Sequence, residues 1–181
     1  MEKQIITLTG PSGAGKSTIV KELLKQRPEW KLIVSVTTRE KRESDLPGEY
    51  DYVSEDKFKY IKENGKFIWT AEPHGKRYGT MYESIDSALV SPQKSLMILE
   101  PASVSALFNY TKQVAPFYIY APSEDELEKR LVLRGDAKES IERRISDCRS
   151  WDKLAKESAV NYTYILNRNV ADAVENILMN L

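Results

Sequence analysis

Nine consecutive residues, Gly10-Pro11-Ser12-Gly13-Ala14-Gly15-Lys16-Ser17-Thr18, have the types and spacing to hold a polyphosphate. The glycines let successive backbone N–H groups turn toward one anion, Lys16 neutralises β and γ oxygens, and Ser17 offers a hydroxyl to Mg²⁺. The pattern G-x-x-x-x-G-K-[ST] is specific only between a strand and a helix. Here a β-rich run, Gln4 to Thr9, precedes it, and Ile19, Val20, Leu23 and Leu24 follow at helical spacing. ATP–Mg²⁺ fits this loop, which by itself leaves ATPase, GTPase and kinase chemistry open. A second set, Arg39, Arg42, Tyr50 and Tyr78, has the types needed for a compact dianion such as a monophosphate. Two anion sites facing each other would place an acceptor in line with a γ-phosphate.

These residues require elements to carry them. With 181 residues and 41% hydrophobic content the chain suits one compact unit. Lys plus Arg and Asp plus Glu number 27 each, so no overall field draws it to nucleic acid or to an anionic membrane. A lone Cys148, no apolar run near the roughly 20 residues of a membrane helix, and a start too short for a signal sequence predict a soluble, cytoplasmic protein acting on small molecules, as a monomer or homodimer. Leu32 to Val36 reads as a second buried strand, followed by a long basic loop. Ser54 caps a helix ending near Asn64-Gly65, and Phe67 to Thr70 is a further strand, so a small subdomain is inserted here. Ser95 to Leu99 and Ala115 to Ala121 are strands, Ser123 and Glu126 form a capping box, and Ile141, Ile145, Cys148, Trp151 and Leu154 mark one helix face. Tyr162 to Leu166 and Val170 to Leu181 give the last strand and helix. The alternation predicts an α/β fold of three layers with about five parallel core strands.

Ser35-Val36-Thr37-Thr38-Arg39, Arg42, Tyr50, Gly75 to Thr80 (GKRYGT), Arg130-Leu131, Arg134-Gly135, Arg144 and the final ILNRN resemble the guanylate kinase family in order and spacing, over nearly the whole chain. The resemblance implies ATP-dependent phosphorylation of a nucleoside monophosphate, GMP or dGMP first. It implies a core of residues 1–34, 82–125 and 160–181, an acceptor-binding subdomain of mixed β structure at 35–81, and a helical lid at 126–159. Within these it assigns Arg39, Arg42, Tyr50 and Tyr78 to the acceptor phosphate, with Ser35 and Thr80 near the acceptor base. Arg130, Arg134 and Arg144 belong to the lid, the last two over the transferring phosphoryl group together with Lys16, and Asn167 lies near the ATP base and ribose. Guanylate-kinase-like domains also serve as phosphoprotein-binding modules, and related kinases phosphorylate sugar phosphates, so those readings stand beside the first.

One position departs from the family. Where the family carries a glutamate that accepts from guanine's Watson–Crick edge, this chain has Trp69, which can stack or donate one N–H but cannot accept. Glu100, aligned with a family aspartate that reaches the base, or Glu72 could supply the missing carboxylate; alternatively the indole narrows the pocket for a different or modified (deoxy)nucleotide. The segment Ile98 to Ser103 lacks a carboxylate that helps order Mg²⁺ through water, and the loop between Arg42 and Tyr50 is one residue shorter.

Overall fold

The computed structural model describes residues 2–43 and 45–181, with the backbone alone at residue 74. In chain order the elements are β1 (Ile5–Thr9), α1 (Lys16–Gln26), β2 (Lys31–Leu32), β3 (Ser35–Thr37), β4 (Tyr50–Tyr52), α2 (Glu55–Glu63), β5 (Phe67–Ala71), β6 (Tyr78–Met81), α3 (Tyr82–Leu89), β7 (Ser95–Ile98), α4 (Pro101–Tyr110), β8 (Val114–Tyr120), α5 (Glu124–Leu133), α6 (Lys138–Glu157), β9 (Thr163–Leu166) and α7 (Val170–Met179). Five strands form a parallel sheet in the order β2-β7-β1-β8-β9. All of β1 is buried, and its side chains alternate between two cores. Ile6 and Leu8 pack with Ile19, Val20 and Leu23 of α1 and with Val174 and Ile177 of α7. Ile5 packs on the other face with Ile85 of α3, Val104 and Leu107 of α4 and Ala155 of α6. Helices therefore cover both faces of a central parallel sheet.

The second sheet, β4-β3-β6-β5, is mixed: β3 runs parallel to β4 and antiparallel to β6, which runs antiparallel to β5. The expected single strand from Leu32 to Val36 is in fact divided between the two sheets. Ile33 still donates to Leu96 O of β7 at 3.0 Å, whereas Ser35 donates to Glu49 O at 3.0 Å and opens the second sheet. Val34 at the crossing is exposed. Each half carries branched apolar residues, Leu32 and Ile33 in one and Val36 in the other, so residue type does not mark where the hydrogen-bond partner changes.

Local capping follows side-chain chemistry. The hydroxyl of Ser54 accepts from Lys57 N at 3.2 Å and starts α2, while Ser123 accepts from Glu126 N at 3.1 Å and starts α5. Only half of the expected capping box at Ser123 forms, because the Glu126 carboxylate instead accepts from Arg130 Nε at 3.0 Å. On α6 the buried face runs through Ile141, Cys148 and Ala155, and Leu154 points to solvent, since two turns beyond 148 fall on 155.

Candidate active site

The carboxyl end of β1 leads directly into the glycine loop, which wraps the first turn of α1. Gly10 has φ 137°, and a Cβ there would lie 2.0 Å from Ile119 O of β8, so only glycine lets the loop leave the sheet at this point. Gly15, with φ 93°, stands at the N-cap of α1 and leaves its backbone groups pointing out of the helix end. Asn167, buried after β9, supports the loop from below: its Nδ2 donates to Ala14 O at 2.7 Å, while its Oδ1 is buried without a partner among the described residues. Arg130 reaches the same place, donating to Asn167 O at 3.1 Å.

Lys16 Nζ donates to Gly10 O at 2.6 Å and Pro11 O at 2.8 Å. Burial, then the nearby Arg134 and Arg144 charges, bring its pKa down to about 8. Ser12 Oγ accepts from Arg144 and, at 3.4 Å, from Arg134. Both arginines also pair with Asp136, at 3.6 Å from Arg144 Nε, and Asp136 is held below the usual carboxylate range chiefly by its hydrogen bond from Arg134. Asp136 was not among the residues expected from the sequence, yet it pairs with both arginines that reach Ser12 of the loop.

Across the cleft, Arg42, Tyr50 and Tyr78 face Ser12, Lys16 and Arg144 around a cavity of about 340 Å³. Ser35, Trp69 and Glu100 line the same cavity, joined by Ser103, Asp147, Cys148 and Trp151, none of which the sequence singled out as site residues. Trp151 comes within 6.0 Å of Lys16 Nζ, measured to the ring centroid. Thr80 does not line the cavity; fully buried, it bonds Ser35 Oγ at 2.8 Å from behind. A bulge in β5 between Phe67 and Trp69 sets Trp69 opposite Thr80, and the indole Nε1 is buried without a partner among the described residues. Burial pushes the Glu100 carboxyl up, whereas Glu72 is exposed, 3.7 Å from Arg77, and does not reach the cavity. Of the two carboxylates proposed for the base, Glu100 alone lies at the cavity wall.

Arg39, expected beside Arg42 at the cavity, is 7% exposed and stands one layer back. Its fork closes on Asp45, with NH1 to Oδ2 and NH2 to Oδ1 both 2.9 Å, and its Nε donates to Tyr78 OH at 3.0 Å. Ser17 and Thr18 are exposed on the first turn of α1 and, like Arg134, are not part of the cavity wall. The position of Ser17 suits Mg²⁺: this ion keeps several waters and takes phosphate oxygens with one or two protein oxygens, and a lone hydroxyl beside a triphosphate loop meets that need. Among the described residues no group of three or more His, Cys, Asp or Glu side chains offers a protein-built metal cage. Nor is any helix of the described residues long and apolar enough to cross a membrane.

A family model described as guanylate kinase matches residues 2–181. A guanylate kinase of Wolinella succinogenes is 36% identical, with 98% of this chain and 82% of that protein covered. Another, from Thermobifida fusca, is 36% identical with 97% and 89% covered. The crystal structure of guanylate kinase from Anaplasma phagocytophilum superposes with a TM-score of 0.68 at 25% identity, covering 97% of this chain and 82% of that one.

Proposed function

The chain belongs to the guanylate kinase family, and from that premise we propose that it moves the γ-phosphoryl group of ATP onto GMP or dGMP, yielding ADP and the nucleoside diphosphate. The observation that carries this reading is one cleft with Ser12 and Lys16 at one end, Arg42, Tyr50 and Tyr78 at the other, and Arg144 above. The backbone N–H groups of Gly13 to Thr18 and the end of α1 take the triphosphate, and Lys16 exchanges its carbonyl partners for β and γ oxygens. Arg42 and the two tyrosine hydroxyls hold the acceptor phosphate in line. Arg134 and Arg144 leave Ser12 for the oxygens of the transferring group, where such arginines contribute roughly 10³ to 10⁵ in rate. The Ser17 hydroxyl would hold Mg²⁺, which when bound would supply positive charge to offset that of the triphosphate. Phosphoryl transfer of this kind rests on positioning and charge, so no histidine base is required. Asn167 and Arg130 lie under the loop, on the side of the donor's base and ribose.

The base of the acceptor meets Trp69, Ser35 and Glu100. With tryptophan unable to accept, Glu100 is the carboxylate for the N1–H and amino group of guanine. The same feature favours a second reading, in which a different or modified (deoxy)nucleoside monophosphate is the better acceptor. A coupled assay with ATP–Mg²⁺ and each common monophosphate, ribose and deoxyribose, decides: fastest turnover with GMP or dGMP is expected, and none with any acceptor removes the kinase reading. In that event Mg²⁺–ATP affinity that does not change in Lys16→Ala points to a phosphoprotein-binding module.

A further inference from the structure

Asp45 lies on the loop between Arg42 and β4, where a run of charged residues gives an acidic side chain no distinguishing mark. In the fold it is 9% exposed and takes four hydrogen bonds: two from the Arg39 fork, one from Arg42 N at 2.7 Å and one from Tyr52 OH at 2.8 Å. Burial works against both charges of the Arg39–Asp45 pair, yet the bonds from Arg39, Arg42 and Tyr52 hold the carboxyl below its ordinary value, and Asp45 and Tyr78 hold the guanidinium above.

The consequence reaches the cleft through Arg39. Its NH1 donates to Glu40 O at 2.6 Å and to Asp45, its NH2 to Asp45, and its Nε to Tyr78 OH, so four of its five N–H bonds are engaged. A tyrosine hydroxyl that accepts from Nε–H keeps its own proton for another acceptor, and Tyr78 lines the cavity beside Arg42 and Tyr50. The Arg39 guanidinium also lies 5.2 Å from the centre of the Tyr50 ring, which fixes the second hydroxyl-bearing ring of the set. Asp45 thus touches Arg42 through its backbone and, through Arg39, both tyrosines. It also offsets the charge of Arg39, and the half-buried Glu49, hydrogen-bonded to Tyr50, adds a second carboxylate to this set.

We propose that Asp45 is a positioning residue for the acceptor phosphate: its carboxylate sets Arg39 and Arg42 so that Arg42, Tyr50 and Tyr78 converge on one oxyanion. This rests on the monophosphate kinase reading above. A buried ion pair is by itself weak support for stability, and four donors converging on one carboxylate beside an anion site indicate a role in geometry.

The test is steady-state kinetics of Asp45→Asn, Asp45→Glu and Tyr52→Phe, with melting curves for each. Losing charge-assisted hydrogen bonds at Asp45→Asn raises KM for GMP by about 10- to 100-fold. KM for ATP moves by less than about threefold, because the glycine loop is on the far side of the cleft. Asp45→Glu, which keeps the charge, recovers part of the loss, and Tyr52→Phe raises KM for GMP by a few-fold. A folded Asp45→Asn with parental KM for GMP overturns the proposal, as does an equal rise for both substrates. If Asp45→Asn does not fold, Tyr52→Phe decides, and a parental KM for GMP there overturns it. A parent that turns over no monophosphate defeats the kinase reading instead, so the two failures are distinct.

Discussion

Lys16 combines two demands that pull its pKa in opposite directions. Burial and two arginines bring it down to about 8, while a triphosphate beside it favours the ammonium form. The sign follows: raising pH through 8 removes the proton from the free protein, and ATP binding must then take one up. The Kd for Mg²⁺–ATP is expected to hold between pH 6.5 and 7.5 and to weaken above about 8, approaching tenfold per unit. Calorimetry in two buffers of different ionisation enthalpy reads the proton uptake, and Lys16→Arg removes the inflection; a Kd flat to pH 9.5 contradicts the assignment. At the other end of the cleft, Trp69 is half-buried with its Nε1 unpaired among the described residues. Trp69→Glu restores a carboxylate at that wall. With Glu100 pairing with the guanine amino group in the parent, the ratio of kcat/KM for GMP over IMP should change by less than about threefold, since a site that already pairs with a substrate amino group rejects an analogue without it. A rise of about tenfold or more means that Glu100 does not read the amino group in the parent.

Elements decide which of these residues were visible in the sequence. The glycine loop was legible because its chemistry is contiguous: nine residues carry the turn, the charge and the hydroxyl, and the strand and helix beside them announce themselves by periodicity. The caps Ser54 and Ser123 were legible for the same reason. The division between β2 and β3 was not, because it depends on whether the neighbour is β7 or β4, a property of distant chain. Asp45 and Asp136 were hidden in another way. Each pairs with an arginine within six residues, so in the sequence it looks like an ordinary solvated charge, and only burial separates it from Glu43 or Glu139. Trp151 reads as one more apolar position on α6 until the helix is placed beside the loop. At this scale the joint of β1 and the glycine loop gives a stability prediction. Gly10→Ala puts a methyl against the β8 backbone, which cannot yield, and should cost on the order of 3 kcal/mol or more, a fall of about 6–12 °C in Tm. Gly48→Ala, with φ +80° but nothing within 4 Å, should cost only about 1 kcal/mol. Equal melting temperatures for the two would show that the β1–β8 contact is not tight.

Across the whole molecule, a neutral total charge conceals a local excess: Lys16, Arg42 and Arg144 converge on one cleft whose carboxylates are Glu100 and Asp147. Such a field disfavours bringing these cations together without an anion, and the fold answers with Asp136 and Ser12. Asp136 pairs with both Arg134 and Arg144, and Ser12 accepts from both, so α5 and α6 meet the loop through a shared pair of partners. The far end of α6 is fixed to the sheet, where Tyr118 of β8 donates to Asp152, and Arg149 grips Glu124 of α5 at 2.9 and 2.8 Å. The Arg149–Glu124 pair thus ties α6 to α5, and the Tyr118–Asp152 bond ties α6 to the sheet. The two arginines are not equal: Arg144 is partly buried and lines the cavity, whereas the Arg134 side chain is 47% exposed and reaches Ser12 at 3.4 Å. Arg144→Ala is expected to lower single-turnover phosphoryl transfer by about 10³-fold and Arg134→Ala by about 10²-fold, within the range that arginines at a transferring phosphoryl group supply. Because both share Asp136 and Ser12, the double variant should lose less than the product of the two factors, with a coupling of about 1–2 kcal/mol. Quenched-flow rates at saturating ATP and GMP measure this, and strictly multiplicative losses would mean that the two arginines act independently and that the shared partners do not join them into one device.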